Sequence, residues 1–192
     1  MNKKLLASAL FVALAPMLAS AGETIHVYPV PGIFFDEGAD NQKGVASKIS
    51  PEIGKVLKAN IRQNVGYAGQ AIAKNFNNLT QQIDAKNRYR TLAVSVQVTR
   101  ASRFEVNKKD GTRDIYLPLT LSLYFSNPLT GEVLQSFNQT RVTTFTSTPD
   151  TIAAKISQYT QQSFERTLDE LLTHAASQFK PFTHALLPTV AQ

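Results

Sequence analysis

A run of strict alternation constrains this chain more than any other feature. Ile115, Leu117, Leu119, Leu121, Leu123 and Phe125 are interleaved with Tyr116, Thr120, Ser122 and Tyr124. Successive side chains of a strand point to opposite faces, so this spelling describes a strand with one face in a core and the other outside it. The flanking segments fit the same sheet. Leu92, Val94, Val96 and Val98 alternate with smaller or polar residues over Thr91 to Val98, and a polar, threonine-rich strand is predicted over Glu132 to Thr146. Asn107-Lys108-Lys109-Asp110-Gly111 and Asn127-Pro128-Leu129-Thr130-Gly131 separate the three as turns. The pattern is an antiparallel meander.

Two helical stripes must cover the apolar face of that meander. Ile53, Leu57, Ile61, Val65, Ala68, Ile72, Phe76, Leu79 and Ile83 recur in steps of four and three, after the helix start Ser50-Pro51-Glu52. This predicts one long amphipathic helix, with Gly66 and Gly69 as the places where it would kink. Thr148-Pro149-Asp150 repeats the start signal, and Ile152, Ile156, Tyr159, Phe164, Leu168, Leu171, Ala175 and Phe179 carry the second stripe until Pro181. A short first strand is expected over Thr24 to Val30, stopped by Pro31-Gly32, with an irregular loop over 32–49. The expected fold is α+β: a two-layer sandwich, mainly antiparallel, with two long amphipathic helices on one face and the order β-α-β-β-β-α.

The chain opens with Met1-Asn2-Lys3-Lys4, an uncharged apolar run from Leu5 to Leu18, and Ala19-Ser20-Ala21. These are the three parts of a secretory signal peptide, and the run is too short and proline-interrupted for a membrane span. Cleavage after Ala21 is expected, leaving residues 22–192 as a single periplasmic domain with a short tail at 181–192 and no transmembrane segment. No cysteine occurs. Disulfides, thiolate metal sites and a thiol nucleophile are therefore excluded, and the core alone must hold the fold. A net charge of +6 falls to +4 once Lys3 and Lys4 are removed, a mild excess that permits contact with an anionic envelope polymer or lipid headgroup.

No catalytic constellation emerges. His26, His174 and His184 lack ligand spacing and read as surface or packing histidines, and neither a G-x-S-x-G elbow nor a phosphate-cradling loop occurs. Asp36, Glu37 and Asp40 lack the spacing of a calcium loop and read as solvated carboxylates. No cofactor is expected. Arg88, Arg90, Arg100, Arg103, Lys108, Lys109 and Arg113 cluster around the second strand and its turn. They read either as a basic rim for an acidic polymer or as a solvated hairpin tip that discourages edge aggregation. Aromatic residues do not interleave them as a base-stacking platform would, and an exported protein meets little nucleic acid. Tyr116, Thr120, Tyr124, Thr140, Thr143, Thr144 and Thr146 would form a hydroxyl-rich outer sheet face, either merely exposed or a partner surface. Ile33-Phe34-Phe35 reads as core or as an exposed anchor. The candidate partner surface is thus Phe34, Phe35, Asp36, Glu37, Arg100, Arg103, Lys108, Lys109, Arg113, Tyr116 and Tyr124, meeting a protein partner or a second copy.

The hairpin from Leu119 to Val142, with Leu121-Ser122-Leu123 before Thr130-Gly131-Glu132-Val133-Leu134, carries a family resemblance. It resembles the periplasmic domain of the curli-secretion lipoprotein and related penicillin-binding-protein activator and TolB N-terminal-like domains. The resemblance implies the element order strand, helix, meander, helix, and a non-catalytic role in assembly or binding. The lipid-bearing cysteine of those lipoproteins has no counterpart here. Two other functions stay open at this point: a carrier of a small apolar or lipidic ligand held between helices and sheet, and an envelope hydrolase with a site assembled from distant residues such as Asp36, Glu37 or a histidine.

Overall fold

The computed structural model describes residues 26–36, 48–76 and 91–179, so the leader and its cleavage site, Asp40, Arg88, Arg90, His184 and the tail lie outside the described residues. Its strands are β1 (His26–Phe35), β2 (Thr91–Ala101), β3 (Phe104–Asn107), β4 (Arg113–Ser126) and β5 (Val133–Ser147). Its helices are α1 (Pro51–Ala59), α2 (Ile61–Asn75) and α3 (Ile152–Gln178). The architecture is α+β, a helical layer on one face of a single five-stranded sheet.

The meander forms as its alternation requires. β4 lies at the centre, antiparallel to β2 on one side and to β5 on the other. β3 takes up the β2 side of β4 where β2 leaves it, with Phe104 opposite Tyr116. This short strand was not expected from the sequence, because its four residues carry no alternation of burial and all four are exposed. Tight connections set the register. Gly111 (φ 80°) and Gly131 (φ 72°) occupy the left-handed region that side chains disfavour. The Asn127 carboxamide accepts a hydrogen bond from the Leu129 amide at 2.9 Å, closing the second turn locally.

β1 departs from expectation. The strand continues past Pro31-Gly32 to Phe35, because β1 advances from Pro29 to Ile33 while its partner advances only from Val94 to Val96. The irregularity absorbs the two prolines, and Ile33 regains the core at 8% exposure. β1 runs parallel to β2, as a helical crossover between two strands allows. The predicted loop at 32–49 is therefore shorter at both ends: residues 32–35 are strand, and Ile49 bridges to Ala101. Neither Ser50 nor Thr148 caps a helix through its side chain. Ser50 instead donates its amide to the Ala101 carbonyl at 2.7 Å, and α3 begins only after Thr151.

The first helical stripe is broken at Asn60, not at the glycines. The Asn60 side chain donates to the Val56 carbonyl at 3.0 Å, beside the Asn60 amide, which bonds the same carbonyl at 3.2 Å. The buried face departs from the predicted stripe because successive steps of four drift off a 3.6-residue period. Ile53 and Leu57 are buried in α1, then Asn64, Ala68 and Ile72 in α2, leaving Ile61 and Val65 only partly covered. Between the layers lie Val27, Leu92, Val94, Val96, Val98 and the inward residues of β4, met by Phe164, Leu168, Leu171 and Leu172 of α3. Phe125 has the rings of Phe76, Phe137 and Phe179 around it, with centroids 5.3, 5.9 and 5.0 Å away. Interlocked rings of this kind add to the burial of their area.

Candidate functional site

Because the described helices lie on one face of the sheet, strand residues of opposite parity stand on the other face, save where a bulge resets the facing. Register places Tyr28 beside Ala93, Phe34 beside Gln97, Ser95 beside Tyr124 and Tyr124 beside Ser136. Further along β4, Thr120 stands between Arg100 and Thr140, Pro118 beside Val142, and Tyr116 between Phe104 and Thr144. Exposed sheet faces are ordinarily polar. This one leaves Tyr28 (48%), Phe34 (51%), Phe104 (55%), Val106 (53%) and Val142 (54%) open to solvent.

The apolar residues separate into two groups on that face. Tyr28 and Phe34 stand at the β1 side. Phe104, Tyr116, Pro118 and Val142 line a shallow groove of about 520 Å³, with Arg100 at one side and Thr120 and Thr140 in its floor. Between the groups, Ser122 is buried beneath its neighbours, donating its one hydroxyl hydrogen to Asn138 Oδ1 at 2.5 Å with Thr99 Oγ1 3.3 Å away. Two hydroxyls, Thr120 and Thr140, share a hydrogen bond at 2.9 Å across the strands. Arg100 owes its outward position to an extra residue. β2 advances from Val98 to Arg100 while β4 moves from Leu121 to Thr120, so Thr99 bulges and the strand's facing changes there.

The other predicted cations are largely engaged. Arg103 donates to Glu52 at 2.5 Å and also to Glu105, and Arg113 donates to Glu105 at 3.0 Å. Lys108 bonds Asp114 at 2.8 Å. That bond is the main cause raising the Lys108 pKa, and it leads in lowering that of Asp114, with Thr146 second. Asp110 is lowered first by the Thr112 hydroxyl. The β3–β4 tip is thus a mesh of ion pairs with Lys109 exposed on its turn. Among the described residues Arg100 has no carboxylate partner, and it is the cation that sits on the apolar groove.

Other predicted positions are dispersed. Phe35 faces the helical layer, half-buried under the Lys58 ammonium, which lies 5.4 Å from its ring centre. Asp36 pairs with Lys48 at 2.7 Å. Glu37 lies outside the described residues. Thr143 belongs to the helix-facing side, opposite Leu117, and leaves the hydroxyl-rich outer face. His174 packs edge-on against Phe137. Reasoning from the sequence missed Tyr28, Phe104, Pro118 and Val142. Their common face follows from register, which β3 and the β1 irregularity conceal.

A second groove, of about 420 Å³, lies between α2 and α3 and is lined by Tyr67, Gln70, Lys74, Asp169 and Thr173 among others. There Tyr67 donates its phenolic hydrogen to Asp169 at 2.9 Å. Burial and then this bond push its pKa up to about 12.

No protein family matches this chain, and no curated protein does. Among solved structures it is similar to a Helicobacter pylori protein provisionally assigned as a neuraminyllactose-binding hemagglutinin homolog, at 10% identity and a TM-score of 0.42, covering 83% of this chain and 87% of that one. A provisionally assigned lipoprotein of Caulobacter crescentus matches at 12% identity and a TM-score of 0.36, over 60% of this chain and 79% of the other. A minor lipoprotein of Acinetobacter baumannii matches at 12% identity and a TM-score of 0.28, over 79% of this chain and 92% of its own. Likeness at these levels transfers no function.

Proposed function

We propose that this chain is a non-catalytic binding or assembly protein of the bacterial envelope, engaging a protein partner through the outer face of its sheet. The observation that carries this reading is the groove of Phe104, Tyr116, Pro118 and Val142, open on a sheet whose opposite face already fills the core. Aromatic side chains fixed on strands offer large contact area at little cost in conformational freedom, as partner surfaces use it. Arg100 beside them favours a partner with an acidic group flanked by apolar side chains. The export signal of residues 1–21 and the family resemblance of the Leu119–Val142 hairpin support the compartment and the class of role. A carrier of apolar ligands would need room between helices and sheet, where Leu121, Leu123, Phe125, Phe164 and Leu168 fill the interior.

The test pairs the exported chain with its Phe104→Ser/Tyr116→Ser variant in chemical cross-linking of envelope extracts, with circular dichroism to show both folded. One or more proteins captured by the native chain and lost by the variant is the expected result. Identical capture by the two overturns the reading. The intact mass of the native chain, expected to begin at Gly22, checks the compartment separately.

A further inference from the structure

The two long edges of the described sheet are built differently. β1 carries Pro29 and Pro31 and an irregular register, devices that spoil an edge for pairing with another chain. β5 carries none of them. It is 15 residues long, without proline or glycine, rich in threonine, valine and phenylalanine, and keeps regular register with β4 from Gln135 to Ser147. Its single charge, Arg141, is turned to the helix side and tied to Glu170. Among the described residues β5 pairs with β4 alone, and from Ser136 to Thr144 no described side chain bonds its backbone; Lys155 donates to the Thr146 carbonyl at 3.0 Å beyond that stretch.

We propose that the edge of β5 from Ser136 to Thr144 takes up the same edge of a second copy, antiparallel about a two-fold axis, giving one sheet that runs through both molecules. Identical strands pair in this way because each offers the other the same donors and acceptors. A register centred on Thr140 sets Arg141 opposite the other copy's Gln139 on the helix side. On the outer side it sets Val142 opposite Asn138 and Thr144 opposite Ser136, so no like charges meet. Association stops at two copies, since the edges left over are β1, with its prolines, and β3, only four residues long and ending in ion pairs. Thr140 and Val142 line the groove, so the pairing brings the two grooves together on either side of the axis. The inference stands on the edge and is independent of what the groove binds.

Sedimentation equilibrium of the exported chain, with amide hydrogen exchange at low and high protein concentration, tests it. A dimer is expected, with alternate amides between Ser136 and Thr144 slowing as concentration rises. Ser136→Lys/Thr144→Lys, which leaves the groove-lining residues intact, is expected to weaken the dimer by roughly ten-fold or more, as opposed like charges do. A monomer at all concentrations overturns the proposal. So does a dimer whose β5 amides exchange at a rate independent of concentration, or a folded lysine variant that associates as the native chain does. Phe104→Ser/Tyr116→Ser is expected to dimerise normally, which separates failure here from failure of the outer-face reading.

Discussion

Gln161 of α3 donates its side-chain amide to Asn64 Oδ1 of α2 at 2.6 Å, and Asn64 in turn donates to the Leu57 carbonyl of α1 at 3.3 Å. One buried carboxamide therefore holds three helices in register. Asn64→Leu leaves both the Gln161 amide and the Leu57 carbonyl short of a partner. It should cost about 1–3 kcal/mol, read as a lowered urea midpoint. A midpoint at or above the native value would show that the carboxamide contributes nothing.

Phe125 is fully buried with three other phenylalanine rings around it. Phe125→Ala should destabilise by about 3–5 kcal/mol, because three neighbouring rings cannot collapse into the space left. Phe104→Ala, at an exposed position, should shift stability by less than about 0.5 kcal/mol. Equal losses from the two, measured by the same denaturation, would contradict the assignment of inner and outer faces.

Glycines of this chain fall into opposite classes. A Cβ at Gly66 or Gly69 meets nothing within 4 Å. Alanine at either should therefore stabilise α2 by up to about 1 kcal/mol. Gly131 is equally open, but its φ of 72° makes alanine there unfavourable by about 1 kcal/mol. Thermal melts of the three variants should separate in sign.

Tyr67 makes the stability of the helix pair sensitive to alkali. An ordinary tyrosine loses its proton near 10.0, whereas Tyr67 holds it to about 12 in the folded chain. Its contribution is complete below pH 10 and disappears as pH climbs towards 12, because the unfolded chain releases the proton first. Tyr67→Phe should lower stability at neutral pH by about 1 kcal/mol at most and flatten the alkaline decline. Urea midpoints between pH 8 and 12 follow both effects. An unchanged slope in the variant would assign the decline to other groups.

The fold was legible where burial follows a simple period. Ile115–Phe125 alternates without a fault and becomes the central strand, with each of its odd-numbered residues buried. Ile152–Gln178 keeps its stripe for the whole of α3. Legibility failed where a polar residue ends a helix or an extra residue resets a strand's phase. Asn60 interrupts a stripe whose spacing runs on through it, and Thr99 turns Arg100 outward by bulging. The groove suffered most from this. Tyr116 and Arg100 were named among its residues from sequence, but Phe104 and Val142 acquire their meaning only from the strands they stand beside. Neither has a helical or alternating context of its own that marks it.

The parallel lie of β1 against β2 orders events during folding. β4 and β5 are joined by a tight connection and can zip as soon as both are present, whereas β1, the first described strand of the chain, has no neighbour until the crossover helices and β2 have followed it. Its irregular, proline-bearing backbone makes that waiting segment a poor template for pairing with other chains. Of the pairings in the described sheet, β1 with β2 is the one that must wait for helices to form the link between its strands.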